Sequence, residues 1–329
     1  MKNIFKLLSL ALVGSTLFVG CQKEEARSIS FSFENADSPK SYIHSNFNCW
    51  ETNENIYING GSNPVIVTNG NSTVSHVSGY SAAHNTPLFC FYGGSQNTYD
   101  NYDEVTHTYS FVVPTSMTYK SVANEKQKTD APVAGYGLFN ANGRTRIPMK
   151  NLGSMLKFNF QNNSNSPVTF NFITVYSRQN SYYIAAPIAG NATATVPSST
   201  GTLEPYTIES GSISKTLNFD QESHSVIANN SDQIYFPIAS IEDARLGLEI
   251  TYEWHRHTYT LKYDPTSDIT INRNDLLSLP TISFNHSSNG GANANDEQHY
   301  SVQIGTTTLS LENDLFVVSN NHWTLTKLR

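Results

Sequence analysis

The sequence is poor in charge. Only 14% of its 329 residues are Asp, Glu, Lys or Arg, against about a quarter in an ordinary globular protein. The polar surface is therefore built mainly from Asn, Ser, Thr and Tyr. Basic residues number 20 against 27 acids, a net charge of −7. That excludes a generic nucleic-acid binder, which needs a basic face. Three cysteines exclude a disulfide-stapled scaffold and a cysteine-rich metal cluster. No stretch sustains a helical period. No Gly-x-Ser-x-Gly turn, Walker loop or pair of histidines at i, i+4 occurs, so no enzyme, no catalytic residue, no cofactor and no metal site is expected. The aromatic fraction of 12% argues against wholesale disorder, and the length allows about two domains.

What is present begins with an export signal. Lys2 and Lys6 precede an apolar run from Leu7 to Val19, too short to span a bilayer and of the form that secretory signals take. The run ends in Leu17-Phe18-Val19-Gly20-Cys21, which resembles the lipobox of bacterial lipoproteins. That resemblance implies cleavage after residue 20 and lipidation of Cys21, with several acyl chains giving stable anchorage. Removing residues 1–20, which carry two lysines and no acid, takes the net charge from −7 to −9. Gln22-Lys23-Glu24-Glu25 is either a solvated charge run or, by resemblance, the acidic surface-export signal of Bacteroidetes lipoproteins. The expected location is the outer membrane, lipid-anchored and facing outward.

The mature chain reads as a series of short strands. Ser28 to Phe33 alternates strictly, which places Ile29, Phe31 and Phe33 on one face. Further strands are expected over 55–59 with a turn at Gly60-Gly61, then over 65–68, 87–92 and 108–113, the last stopped by Pro114. In the second half, 155–160, 168–176, 233–237, 246–252 and 257–263 carry the same pattern. Residues 271–279 read as one or two turns or another short strand. Residues 285–296 are almost wholly Asn, Ser, Gly and Ala and read as a linker. Strand candidates over 302–311, 315–318 and 323–328 follow it as a tail. The spacing argues for all-β sandwiches.

In this order of features the chain resembles the fimbrillin family of Bacteroidetes, lipoprotein precursors of fimbrial (pilus) subunits. The residues that carry the resemblance are Gln127 to Ala134, Ile147 to Phe158, Asp232 to Pro237 and Ile269 to Asp275 running on to Phe284, behind the lipobox. Asn151 and Leu152 depart from the family pattern. The resemblance implies two transthyretin-like β-sandwich domains in tandem with a C-terminal β-tail: a signal peptide over 1–20, an N-terminal domain over 21–146, and a C-terminal domain over 147–329 that includes the linker and the tail 297–329. It also implies assembly by donor-strand exchange, in which a protease removes the lipid and first strand and another subunit's C-terminal strand fills the groove. Ser28 to Phe33, with Ile29 and Phe31, is then the displaced strand. Val317, Trp323 and Leu325 are the candidate donor residues within 301–328. Cleavage in the family follows an arginine between the first two strands. Here Arg27 precedes the first strand, the next arginine is Arg144, and Lys40 is the basic residue placed between. Truncating 301–329 is expected to block chain growth and leave both domains folded. The expected partners are other fimbrial subunits, the outer membrane through the lipid, and host or bacterial surface glycans or proteins.

Other constellations have blander readings. His255-Arg256-His257 would put two imidazoles on one strand face, short of a zinc site. Cys49 and Cys90 either form a disulfide or remain two buried thiols. Asp100 to Glu104 offers oxygen ligands without the glycine and distal glutamate of a calcium loop. Tyr80, Tyr92, Tyr99, Tyr102, Tyr182, Tyr183 and Trp254 sit beside amides or small residues and could form a sugar platform. The alternatives to a pilus subunit are thus a surface glycan-binding lipoprotein for nutrient capture, and a fimbrial anchor or accessory subunit that keeps its lipid.

Overall fold

The computed structural model describes residues 28–33, 53–61, 65–66, 74–78, 80–94, 96–122, 126–127, 131–178, 185–198, 201–219, 223–264, 268–287, 302–304, 307–309, 311–312 and 315–319. Among them every regular element is a strand, so the all-β expectation holds.

One sheet has seven strands, in the order β3 (Val65–Ile66), β2 (Asn55–Ile58), β5 (Pro87–Tyr92), β11 (Val133–Leu138), β12 (Arg144–Asn151), β1 (Ser28–Phe33) and β4 (Val74–Ser78). Alternation along β5 sends Leu88, Cys90 and Tyr92 to one face and Phe89 and Phe91 to the other, and both faces are buried. The second face packs on a four-stranded sheet, β16 (Thr207–Ser212), β15 (Ala189–Thr195), β7 (Thr108–Val113) and β6 (Thr98–Asp103). Between them Tyr109 and Phe111 meet Phe91, and Tyr206 meets Phe111, while Ala189, Ala192 and Ala194 leave room for the rings.

The larger core lies between two further sheets. One contains β19 (Asn230–Ile238), β13 (Ser154–Asn162), β24 (Ile282–Phe284), β25 (Val302–Ile304) and β26 (Thr307–Leu309), with β23 (Leu276–Ser278) also paired to β13. The other runs β27 (Leu311–Glu312), β28 (Leu315–Ser319), β21 (His257–Asp264), β20 (Ile241–Trp254), β14 (Val168–Arg178), β17 (Ser214–Asn218) and β8 (Ser116–Thr118). β18 (His224–Val226) pairs with β14, and β22 (Ile269–Ile271) with β20. A small ribbon, β9 (Ser121–Val122) with β10 (Lys126–Gln127), stands apart from all four sheets. The ambiguous 271–279 segment resolves into β22 and β23 rather than helical turns.

Two features place strands where the sequence pattern is silent. The cut expected between 146 and 147 falls inside β12, and β15 and β16 share a core with strands from residues 87–113. The hairpin after β2 turns at Asn59 and Gly60, both at positive φ (50° and 63°), one residue earlier than expected. A Cβ on Gly60 would lie 2.2 Å from the Tyr102 ring, so glycine is required there for space as well as for φ.

Candidate strand-exchange groove

The first strand lies inside its sheet rather than at its margin. β1 runs parallel to β12, with Ile29 opposite Thr145, Phe31 opposite Ile147 and Phe33 opposite Met149. On its other side it is antiparallel to β4, with Ile29 opposite Val77 and Phe31 opposite Ser75. Ile29 and Phe31 enter a core with Ile56, Leu88, Cys90, Ile147 and Met149 and are 1% and 0% exposed. Because alternate residues face opposite ways, Ser30 and Ser32 lie on the reverse face. They are also buried. Ser30 Oγ donates to the Thr145 carbonyl (3.3 Å), and Arg146 Nε donates to Ser32 Oγ (3.5 Å). β1 thus presents apolar side chains to one core and hydrogen-bonded hydroxyls on its reverse face.

Taking β1 away would leave two strips of unpaired backbone, one on β12 and one on β4. It would also open the sockets now filled by Ile29 and Phe31. Burying side chains of that size stabilises by about 1.5–3 kcal/mol each, and unpaired edges attract another strand.

The tail pairs with this chain's own sheets. β25 extends the larger core's sheet at β24, with Ser283 opposite Gln303, and Val302 and Ile304 are 0% and 4% exposed. The front of the tail is thus a core element, and a cut at 301 would remove the buried Val302 and Ile304 side chains. β28 lies parallel to β21, with Val317 opposite Lys262. Cys21, Arg27, Lys40, Cys49, Tyr182, Tyr183, Trp323 and Leu325 lie outside the described residues. Of Phe33 and Val317 only the backbone pairing is described.

The remaining candidates fall at turns, at a sheet edge and in the cores. His255 and Arg256 are not on a strand face: they form the two-residue turn between β20 and β21, both at positive φ (50° and 66°). His255 Nε2 is 2.6 Å from Ser166 Oγ. Among the described residues no three His, Cys, Asp or Glu side chains group as a metal site. Cys90 is a free, buried thiol whose pKa is pushed up by desolvation. Asp103 Oδ1 accepts from the Val105 and Thr106 N–H groups (2.8 and 3.2 Å) and closes the β6–β7 turn. Those bonds hold its carboxyl below the usual range. Tyr92 and Trp254 are core residues at 5% and 1% exposure. Tyr99 stacks on Tyr57 with centroids 3.8 Å apart, and Tyr80 packs edge-on against Phe139. The aromatic faces offered as a sugar platform are, where described, packed on other rings or set into a core.

His286 had no distinguishing signal, standing within the low-complexity 285–296 segment, yet it is 1% exposed. Tyr252 Oη is 2.9 Å from its Nε2, and its backbone N–H donates to Ser164 Oγ (3.1 Å). Rings of Tyr252, Trp254 and Tyr259 surround it, and burial lowers its pKa to about 4.

No family model matches the sequence, and no curated protein matches it. Similar solved structures include two putative cell adhesion proteins. The one from Bacteroides ovatus is 9% identical, with a TM-score of 0.39, over 85% of this chain and 97% of that one. The one from Bacteroides uniformis is 11% identical, with a TM-score of 0.35, over 78% and 93%. The fimbrial anchor protein Mfa2 of Porphyromonas gingivalis is 9% identical, with a TM-score of 0.27, over 86% and 98%. With TM-scores this far below 0.5, these likenesses carry no weight as to function.

Proposed function

We propose that this chain is a surface-exposed lipoprotein precursor of a fimbrial subunit, anchored through Cys21 and assembled by strand exchange after its first strand is removed, with cell adhesion as the output. The observation that carries this reading is the placement of β1. A terminal strand, alternating in sequence, sits between two other strands with Ile29 and Phe31 in full burial. Such a strand is a plug that another extended segment of like pattern can replace. The tandem transthyretin-like domains and the donor role of the tail belong to the same proposal.

A specific observation also favours the anchor or accessory version. No arginine occurs between Arg27 and Arg144, so an arginine-specific protease acting at Arg27 would release the lipid and leave β1 in place. Both versions keep the chain at the cell surface among other fimbrial subunits.

Deletion of residues 22–40 and truncation of 311–329, which spares Val302 and Ile304, test the reading together. The first deletion is expected to open the groove and give multimers in light scattering. The second, combined with it, is expected to stop chain growth. If both chains stay folded and monomeric, strand exchange is the wrong mechanism.

A further inference from the structure

The chain has only 20 basic residues against 27 acids, yet β12 sets three of them on one face. Exposed Arg144 and Arg146 and half-buried Pro148 and Lys150 alternate with buried Thr145, Ile147, Met149 and Asn151. Alternation puts the two arginines and the lysine in one line, about 20 Å long at the rise of a strand. Arg146 Nε donates to Ser32 Oγ on the neighbouring strand (3.5 Å), which sets its head on that face. Among the described residues no carboxylate pairs with Arg144 or Lys150.

The lysine end of the line opens into a cleft. β11 and β12 pair only at Val133–Asn151 and Ala134–Lys150 and then part, β11 staying with β5 as far as Leu138 and β12 with β1. Pro148 accounts for the fork. Its carbonyl points at β11, 2.4 Å from where a Cβ on Gly135 would stand, and the N–H and C=O of one strand residue face the same way. The donor that proline lacks is therefore one that would have faced β11. The fork and the loop between β15 and β16 enclose about 240 Å³, lined by Tyr136, Pro148, Lys150, Pro197, Ser198 and Leu203 among others. Tyr136 is braced edge-on by Phe89, with centroids 5.2 Å apart. The Gly201 N–H donates to the Ser198 carbonyl (2.9 Å) and tightens the loop.

We propose that this line and its cleft bind an acidic glycan, a polysaccharide bearing carboxylate or sulfate groups. The cleft is smaller than the drug-sized pockets that begin at about 300 Å³, so it takes one ring-sized unit. Tyr136 offers that unit a flat apolar surface and Ser198 a hydroxyl, while Lys150 pairs with its acid group. The following units lie along β12, where Arg146 and Arg144 stand about 7 Å apart and take the next anionic groups. Three cations over about 20 Å match the sparse charge of a glycan rather than the phosphates of DNA, at one charge per about 1.7 Å. The net charge of −7 also opposes a polyphosphate. A membrane surface presents no ring to fill the cleft. The inference extends the adhesive part of the proposed function by naming a ligand class. Its test measures binding by the single chain, so its failure is separate from a failure of strand exchange.

Isothermal titration of the chain from residue 22 with a tetragalacturonate and with a heparin hexasaccharide tests it, at low and at physiological salt. At least one of the two is expected to bind, more weakly as salt rises, while neutral dextran oligomers do not. Arg144→Gln and Lys150→Gln should each weaken binding about threefold to fivefold, as loss of one exposed ion pair does, and together about tenfold to twenty-fivefold. Lys150→Arg should retain it. Tyr136→Ala should weaken binding by the same factor at both salts, because it removes contact and no charge. Lys262→Gln, which breaks an ion pair with Glu249 in the other core, should change nothing. The inference is overturned if neither oligosaccharide binds, or if duplex DNA or phosphatidylglycerol vesicles bind as tightly and lose that binding in the same variants. Wild-type affinity in Arg144→Gln overturns it as well, since that exposed position can be changed without touching a core.

Discussion

Phe31 stands opposite Ile147 across a parallel strand pair, and neither side chain is exposed to solvent. The pairing ties a strand near the start of the chain to one more than a hundred residues later. The first strand is thereby part of the core.

Phe31→Ala should therefore be costly. Truncating a fully buried phenylalanine costs about 3–5 kcal/mol, and the cavity would open beside Cys90 and Met149. Urea unfolding of the mature chain is expected to show a lower midpoint with little change in slope. A loss below about 1 kcal/mol, the scale of a surface substitution, would mean that β1 is not seated as described.

His286 predicts a pH dependence. Its folded pKa of about 4 lies below the ordinary 6.5 because burial disfavours the imidazolium. The unfolded chain therefore binds a proton that the folded chain refuses as pH falls from 6.5 toward 4. The stability associated with neutral His286 is fully present above pH 6.5 and is lost across that window. The shift corresponds to about 3 kcal/mol at most. Denaturation of wild type and His286→Gln at pH 7 and pH 4.5 should show a flatter pH response in the variant. Equal slopes would refute the assignment.

The His255-Arg256 turn has two non-glycine residues at positive φ, which a two-residue hairpin turn requires and side chains disfavour. Arg256→Gly should raise stability by about 1 kcal/mol, read as an increase in Tm. A decrease would show that the arginine side chain contributes more than its backbone conformation costs.

Cys90 should resist thiol reagents in the folded protein. Its thiol is 0% exposed and its ionisation is disfavoured by burial, whereas the thiolate is the reactive form. Peptide mapping after brief alkylation is expected to find Cys90 unlabelled in native buffer and fully labelled in urea. Rapid native labelling would contradict the burial.

The strands with apolar patterning were legible in the sequence: β1, β2, β5, β7, β13, β14 and β21 lie where alternation or, for β5, a short apolar run places them. β6 and β16 were not, because both are edge strands whose residues are mostly exposed. In β6 a bulge between Tyr99 and Asn101 puts Tyr99 and Tyr102 into one cluster despite their odd spacing. β15 escaped notice because its inward residues are alanines that fit beneath rings from other strands, and small residues carry little hydrophobic signal. β1 could be nominated as a strand from its own six residues. Its neighbours could not, since β4 and β12 are distant in sequence and parallel pairing leaves no local mark. Gln127 was readable only as part of a family-like segment, and its two hydrogen bonds to the Tyr235 backbone depend on a fold that brings the β9–β10 ribbon to β19.

The most direct test of strand exchange is to insert a specific protease site at Lys40 in the chain from residue 22, cut it, and follow molar mass by light scattering while tracking the released fragment. Strand exchange predicts that residues 22–40 leave the protein and that regular multimers grow, dependent on the segment after residue 310. A cut protein that remains monomeric, with the fragment retained or lost, would contradict it.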